Sequence, residues 1–166
     1  MRILGVDPGT LVLGYAVMDS QGDDLAPVTF GAFSCPRNLC LSKRLGFLYQ
    51  RLLEVVSIYR PDVLAVEEPF VAKNISSAFT LGKAQAVAIL VAANSGIEVF
   101  GYPPAEVKKV VVGYGRSTKE QIRDMVRLEL GLSSVLEPID AADALAVAIC
   151  HHQEEKLKNM LGQHGD

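Results

Sequence analysis

The chain lacks an uninterrupted apolar run long enough to span a bilayer. Its longest apolar-rich stretch, Ala84 to Ala93, is interrupted by Gln85, and a spanning helix needs about 20 apolar residues. No membrane association is therefore expected. There is no basic segment leading into an apolar stretch at the start, because Asp7 falls within the first apolar run. No secretory signal is visible, and a cytoplasmic location is expected. Cysteine is scarce: Cys35, Cys40 and Cys150 form no CxxC pair. That excludes a disulfide framework and points to reduced thiols. A zinc site built from Cys150, His151 and His152 with Cys35 and Cys40 would need tighter paired spacings. The two histidines are expected instead at a frayed helix end. Internal repeats, low-complexity segments and linkers are also missing. With 166 residues, 49% hydrophobic content and a mean hydropathy of +0.24, the chain is not disordered and suits one ordinary domain. That domain is expected over 1–153, with 154–166 as a loosely held tail.

Net charge is −3, which by itself argues mildly against a nucleic-acid partner. The sum hides an uneven distribution. Pro69 to Ile97 carries Lys73 and Lys83 and no acid. Ala105 to Arg127 carries Lys108, Lys109, Arg116, Lys119, Arg123 and Arg127 against Glu106, Glu120 and Asp124. The acids gather elsewhere, at Asp19, Asp23, Asp24, Glu154 and Glu155.

What is present is organised around Met1 to Tyr15. Ile3, Leu4 and Val6 read as a buried strand that ends on Asp7, followed at once by Pro8 and Gly9. Pro8 cannot donate a ladder hydrogen bond and Gly9 tolerates positive φ, so the chain turns there. A carboxylate at the end of a buried strand is costly unless solvated, paired or bound to a cation. The alternative is that Asp7 caps the turn by bonding the backbone of Gly9 or Thr10.

Arg2 to Val6, Leu13 to Ser20 and Ala26 to Phe33 are expected as strands, with a hairpin turn at Gln21-Gly22-Asp23-Asp24. Ser42 is expected to cap a helix over Lys43 to Tyr59. Val63 to Val66 reads as a strand buried on both faces, and it too ends in acid, Glu67-Glu68. A helix rich in small residues is expected over Asn74 to Asn94, then a fifth strand over Ile97 to Tyr102. Short helices should follow, from Pro103-Pro104 through Val110 and from Ser117 or Thr118 to Leu130. Gly113-Tyr114-Gly115 is expected as a break between them. A last helix is expected over Ile139 to His151. Three strands followed by helices alternating with two more strands imply an α/β fold, a mixed sheet flanked by helices.

Asp140 and Asp143 lie three apart at the start of that last helix, so both point the same way. The helix dipole favours negative charge there. Capping explains one such acid well and two less well, because parallel carboxylates repel. Four strand-end and helix-start acids can converge only around a cation. Carboxylates suit hard divalent ions, and Mg²⁺ binds through a few carboxylates plus substrate phosphate. Two ions about 4 Å apart can activate a water and steady the leaving oxygen of a phosphodiester. The basic central region would meet the phosphates. Strand periodicity does not choose between Glu67 and Glu68.

In this order, GVDPGT with Gly14-Tyr15, AVEEPF followed by AKN, VVGYG with Lys119, and DAADALAVAI run from about residue 2 to residue 150. The ordered set resembles the RuvC family of Holliday-junction resolvases. The resemblance implies a ribonuclease H-like fold with a mixed five-stranded sheet, a homodimer, and paired symmetric Mg²⁺-dependent cuts in four-way junction DNA. Two Mg²⁺ ions per site are implied, with Mn²⁺ able to substitute, and a branch-migration motor complex as a further partner. By motif, Asp7, Glu67, Asp140 and Asp143 match the catalytic and metal-binding acids; the resemblance thereby selects Glu67. Phe70 matches an aromatic placed against junction bases, for which a core role is the alternative. Lys108 and Lys119 match lysines near the DNA phosphates, and Lys109 could share that role. The net acidity and the cysteines Cys35 and Cys40 stand outside the pattern.

A nucleotide-binding protein of the actin and sugar-kinase type also places Asp and Gly after a first strand. It would need a second phosphate loop of the form Asp-x-Gly-Gly and a second domain, and the 166 residues carry neither.

Overall fold

Apolar runs of alternating direction pair into one five-stranded mixed sheet, with helices on both of its faces. The structure, a computed structural model, describes residues 1–69, 75–113 and 117–162. Strands β1 (Arg2–Asp7), β2 (Val12–Gln21) and β3 (Asp24–Ser34) form an antiparallel meander. Gly22, at φ 61°, turns the chain between β2 and β3 as the Gly-Asp sequence there requires. Helix α1 (Leu41–Tyr59) carries the chain to β4 (Val63–Glu67), which pairs parallel with β1. Helix α2 (Ile75–Asn94) returns it to β5 (Glu98–Tyr102), parallel to β4. The strand order is β3-β2-β1-β4-β5. Three helices close the chain: α3 (Pro104–Val112), α4 (Lys119–Glu129) and α5 (Ile139–Gly162).

The two faces of the sheet are built from different residues. Leu4, Val6, Leu13, Val17, Leu64 and Val66 point to one side, where α1 and α2 bring Leu48, Leu52, Val87 and Val91. Ile3, Ala16, Met18 and Ala65 point to the other, under α3, α4 and α5. The second side is packed with small residues. A Cβ on Gly5 would strike the Ala144 carbonyl, and one on Gly14 would strike the Asp140 carbonyl. These two glycines let α5 lie directly on β1 and β2, with Ala141, Ala144 and Ala148 fully buried. Tight approach here brings the start of α5 to the end of β1.

Several boundaries differ from the sequence expectation. Cys40, not Ser42, is the N-cap residue of α1, so the helix starts earlier. Helix α5 does not stop at His151 but continues to Gly162, and the expected tail boundary falls inside it. His151 and His152 are therefore not at a frayed end; both are buried in mid-helix. Each finds a hydroxyl across the packing surface: His151 Nδ1 lies 2.7 Å from Tyr102 Oη and His152 Nδ1 2.9 Å from Ser20 Oγ. Cys35 and Cys150 sit in the cores on opposite faces of the sheet, which separates the cysteines of the discarded zinc set. Helix α2 is long and apolar enough, by length and composition alone, to cross a membrane. Val87, Ala88, Val91 and Ala92 nevertheless pack it into the α1-side core.

Candidate active site

Alternation along β1 puts Ile3 and Gly5 on the α5 side and Leu4 and Val6 on the other, so Asp7 ends the strand facing α5. The same parity operates on β4. Val63 and Ala65 face α5, Leu64 and Val66 face away, and Glu67 ends the strand on the α5 side. The parallel register Val6 to Val66 places the two strand ends side by side. Glu68, one residue on, instead lays its carboxylate over Gly101 of β5, where a side chain would collide with it. Parity and the position of α5 thus separate the two glutamates: Glu67 faces α5 and the Glu68 carboxylate lies against Gly101.

Helix α5 supplies the remaining acids from its first turns. One carboxylate oxygen from each of Asp7, Asp140 and Asp143 falls within 4.8 Å of the others. Glu67 lines a cleft with Asp7 and Asp140 of that trio, together with Glu68 and Leu81. The cleft holds about 490 Å³ and opens to solvent. A narrower recess of about 120 Å³ lies between Glu67, Lys108, Lys119, Ile122 and Asp143.

The electrostatics reflect a surplus of negative charge. Burial, then the charges of Glu67 and Asp143, push the Asp7 carboxyl up to about 8. Burial and Asp143 raise Glu67 to about 7. Asp143 is raised by burial even though Lys119 opposes the shift. Among the described residues the Asp7 carboxylate takes no hydrogen bond from Gly9 or Thr10, so the turn-capping alternative finds no support in the geometry. Clustered hard oxygen donors with excess charge fit a divalent cation, which would relieve the repulsion.

Lys119 and Lys108 both reach this acidic floor. Lys119 is the first residue of α4, held there by a capping box. Thr118 Oγ1 accepts from the Gln121 N–H at 3.2 Å, and Gln121 Oε1 accepts from the Thr118 N–H at 2.9 Å. Its ammonium donates to Asp143 Oδ2 at 2.7 Å. Burial pulls that ammonium down, but the bond to Asp143 and the neighbouring acids leave its pKa raised. The pairing of Lys119 with an acid was not legible in the sequence, since 24 positions separate the partners. The role of Gly5 was missed as well, although a glycine inside a buried strand signals close backbone approach. Phe70, Lys73 and Tyr114-Gly115 lie outside the described residues.

Acids at the ends of two adjacent parallel strands, met by acids on a helix lying across a 3-2-1-4-5 mixed sheet, define a ribonuclease H-like protein with a divalent-metal type of carboxylate site. The family model described as crossover junction endodeoxyribonuclease RuvC matches residues 3–151. The chain belongs to the RuvC family. A relative of that description from Dehalococcoides mccartyi is 50% identical over 163 residues, covering 98% of each chain. The solved structure of Thermus thermophilus RuvC in complex with a Holliday junction substrate is 31% identical, with a TM-score of 0.87 over 95% of this chain and 96% of that one. The yeast mitochondrial Holliday junction resolvase Ydc2, at 11% identity and a TM-score of 0.67 over 95% of this chain and 82% of that one, shares the fold.

Proposed function

We propose that this chain resolves four-way (Holliday) DNA junctions by paired, symmetric, Mg²⁺-dependent phosphodiester hydrolysis during recombination and repair. The observation that carries the reading is the convergence of Asp7, Asp140 and Asp143, with Glu67 beside them, at one end of the sheet. Asp7, Glu67, Asp140 and Asp143 would hold the metal, two ions per site, with Mn²⁺ able to replace Mg²⁺. When bound, such ions supply positive charge to the scissile phosphate and lower the pKa of water. The acids orient that charge from rigid elements: two strand ends and one buried helix. Lys108 and Lys119, at the rim of the recess, hold the flanking phosphates and carry no base specificity. Phe70 is assigned to the bases of the junction by its motif.

A junction presents two symmetric scissile phosphates, so the reading includes a homodimer with one site per phosphate. The exposed apolar groove of about 420 Å³ on α2, lined by Ile75, Phe79, Gly82 and Ala86, supports a contact through that helix. A branch-migration motor complex as further partner and a cytoplasmic location belong to the same reading. So does a single nuclease domain over 1–153 with 154–166 as an appendage. The test is incubation of the protein with a synthetic four-way junction, a plain duplex and a structured RNA, with Mg²⁺ and with EDTA. Paired symmetric nicks in the junction alone, and only with Mg²⁺, are expected. Equal cutting of duplex or RNA would overturn the substrate assignment.

A further inference from the structure

Lys119 directs its ammonium at Asp143 Oδ2 from 2.7 Å and so engages an oxygen of the very carboxylate that completes the acidic trio. We infer that Lys119 is a displaceable cation, holding Asp143 until a divalent ion takes its place. The inference rests on the metal-nuclease reading above. Among the described residues, Asp143 alone of the trio carries a salt bridge. The partners differ in freedom: the Asp143 side chain is 12% exposed and the Lys119 side chain 58%. The acid is therefore anchored while the lysine's end of the pair is open to water. The backbone of Lys119 is locked by the Thr118–Gln121 capping box, so the motion required is confined to one flexible side chain. Lys119 borders both the narrow recess and the wider cleft beside Asp7 and Asp140, which gives the released ammonium somewhere to go.

The exchange couples two binding events. With Asp143 turned over to a divalent ion, the freed ammonium becomes available to a DNA phosphate. A phosphate that captures the ammonium in turn clears Asp143 for the ion. Each event favours the other by the same factor, as linkage requires. A lysine that served only as a fixed phosphate contact would leave metal affinity in the absence of DNA indifferent to its pairing.

The experiment is a calorimetric titration of Mg²⁺ into the full chain without DNA, on the parent and three variants whose folding is verified by circular dichroism. Lys119→Met removes the competing cation and is expected to bind Mg²⁺ about tenfold more tightly. Lys119→Arg keeps the charge and the donor and is expected to stay near the parent. Lys108→Met removes a like charge from the same recess, where Lys108 lowers Glu67 and Asp143 through space. It breaks no salt bridge to an acid among the described residues, and its affinity gain is expected to be several times smaller. Equal gains for Lys108→Met and Lys119→Met would reduce the effect to general charge repulsion and overturn the inference. An unchanged or weakened affinity in Lys119→Met would overturn it too. No binding heat in any of the four proteins would remove the metal site itself, and with it both this inference and the reading beneath it.

Discussion

The two ends of strand β1 treat acids in opposite ways. At its start, Arg2 grips Asp19 through two parallel bonds of 2.7 and 2.9 Å, donates to the Tyr59 carbonyl at 2.8 Å, and offers its backbone N–H to Asp62. The hydrogen bond from Arg2 holds Asp19 below the usual carboxylate range. At the other end, Asp7, Glu67 and Asp140 line one cleft with Lys119, and Asp7, Glu67 and Asp143 line a narrower recess with Lys108 and Lys119. There burial and mutual repulsion raise Asp7, Glu67 and Asp143. An acid that serves the fold has its cation supplied by the chain. An acid left in surplus on rigid elements is suited to a cation from outside.

The sharpest way to break this contrast is Asp7→Asn. Asparagine keeps the shape and is as good a turn residue, but it removes a charge from the cluster. Cleavage of a four-way junction in a single-turnover assay should fall by about 1,000-fold or more, because metal charge stabilisation is worth several kcal/mol. Junction affinity in a gel shift should hold or rise, since an acid near phosphates cannot strengthen binding. A variant that cuts at the parent rate would place Asp7 with the structural acids.

Metal should act on the two ends unequally. A ligand that binds only the folded state stabilises it by mass action. Melting at a Mg²⁺ concentration about 100 times Kd should therefore be raised by about 5–10 °C over EDTA at matched ionic strength. The same melt on Asp7→Asn should show a much smaller shift, and on Asp19→Asn the full one. No shift in the parent protein would argue against a preformed acidic site.

Acidity sharpens the comparison further. The folded-state pKa of Asp7 lies near 8, above its ordinary value of 3.8. Between those two pH values the folded chain binds more protons at this position than the unfolded chain does. This contribution to stability is fully present below about pH 4 and is lost as pH rises through about 8. In EDTA, Asp7→Asn should melt with the parent at pH 4 and about 3 °C or more above it at pH 8. A gap that is constant with pH would show that Asp7 binds no more protons in the folded chain than in the unfolded one, and so that its carboxyl is not raised. At the opposite end the smallest effect is expected. Asp19→Asn should lower the melting temperature by about 2 °C or less and leave cleavage unchanged, as exposed ion pairs contribute little.

Much of this was legible from residue order. Strand-ending acids at Asp7 and Glu67-Glu68, and a helix-starting pair at Asp140 and Asp143, are local patterns. Local patterns survive in the sequence because strand and helix periodicities are set by the backbone itself. The five strands and their order of type were readable for the same reason. The extent of α5 was not. Its second half, beyond Cys150, holds mostly polar residues, and helical continuation there depends on burial of His151 and His152 against Tyr102 and Ser20.

What the sequence determined alone is the chemistry available: acids at element ends, glycines where backbones close in, and a basic stretch to follow. What tertiary structure decided is which of these meet. Gly5 and Gly14 lower α5 onto β1 and β2, and that one packing choice brings Asp140 and Asp143 to the end of β1 beside Asp7. Strand parity puts Glu67 on that side and turns Glu68 toward Gly101. The same packing brings Asp143 to Lys119 from 24 positions away. Periodicity states which residues share a face, but only the arrangement of neighbouring elements states what that face will touch.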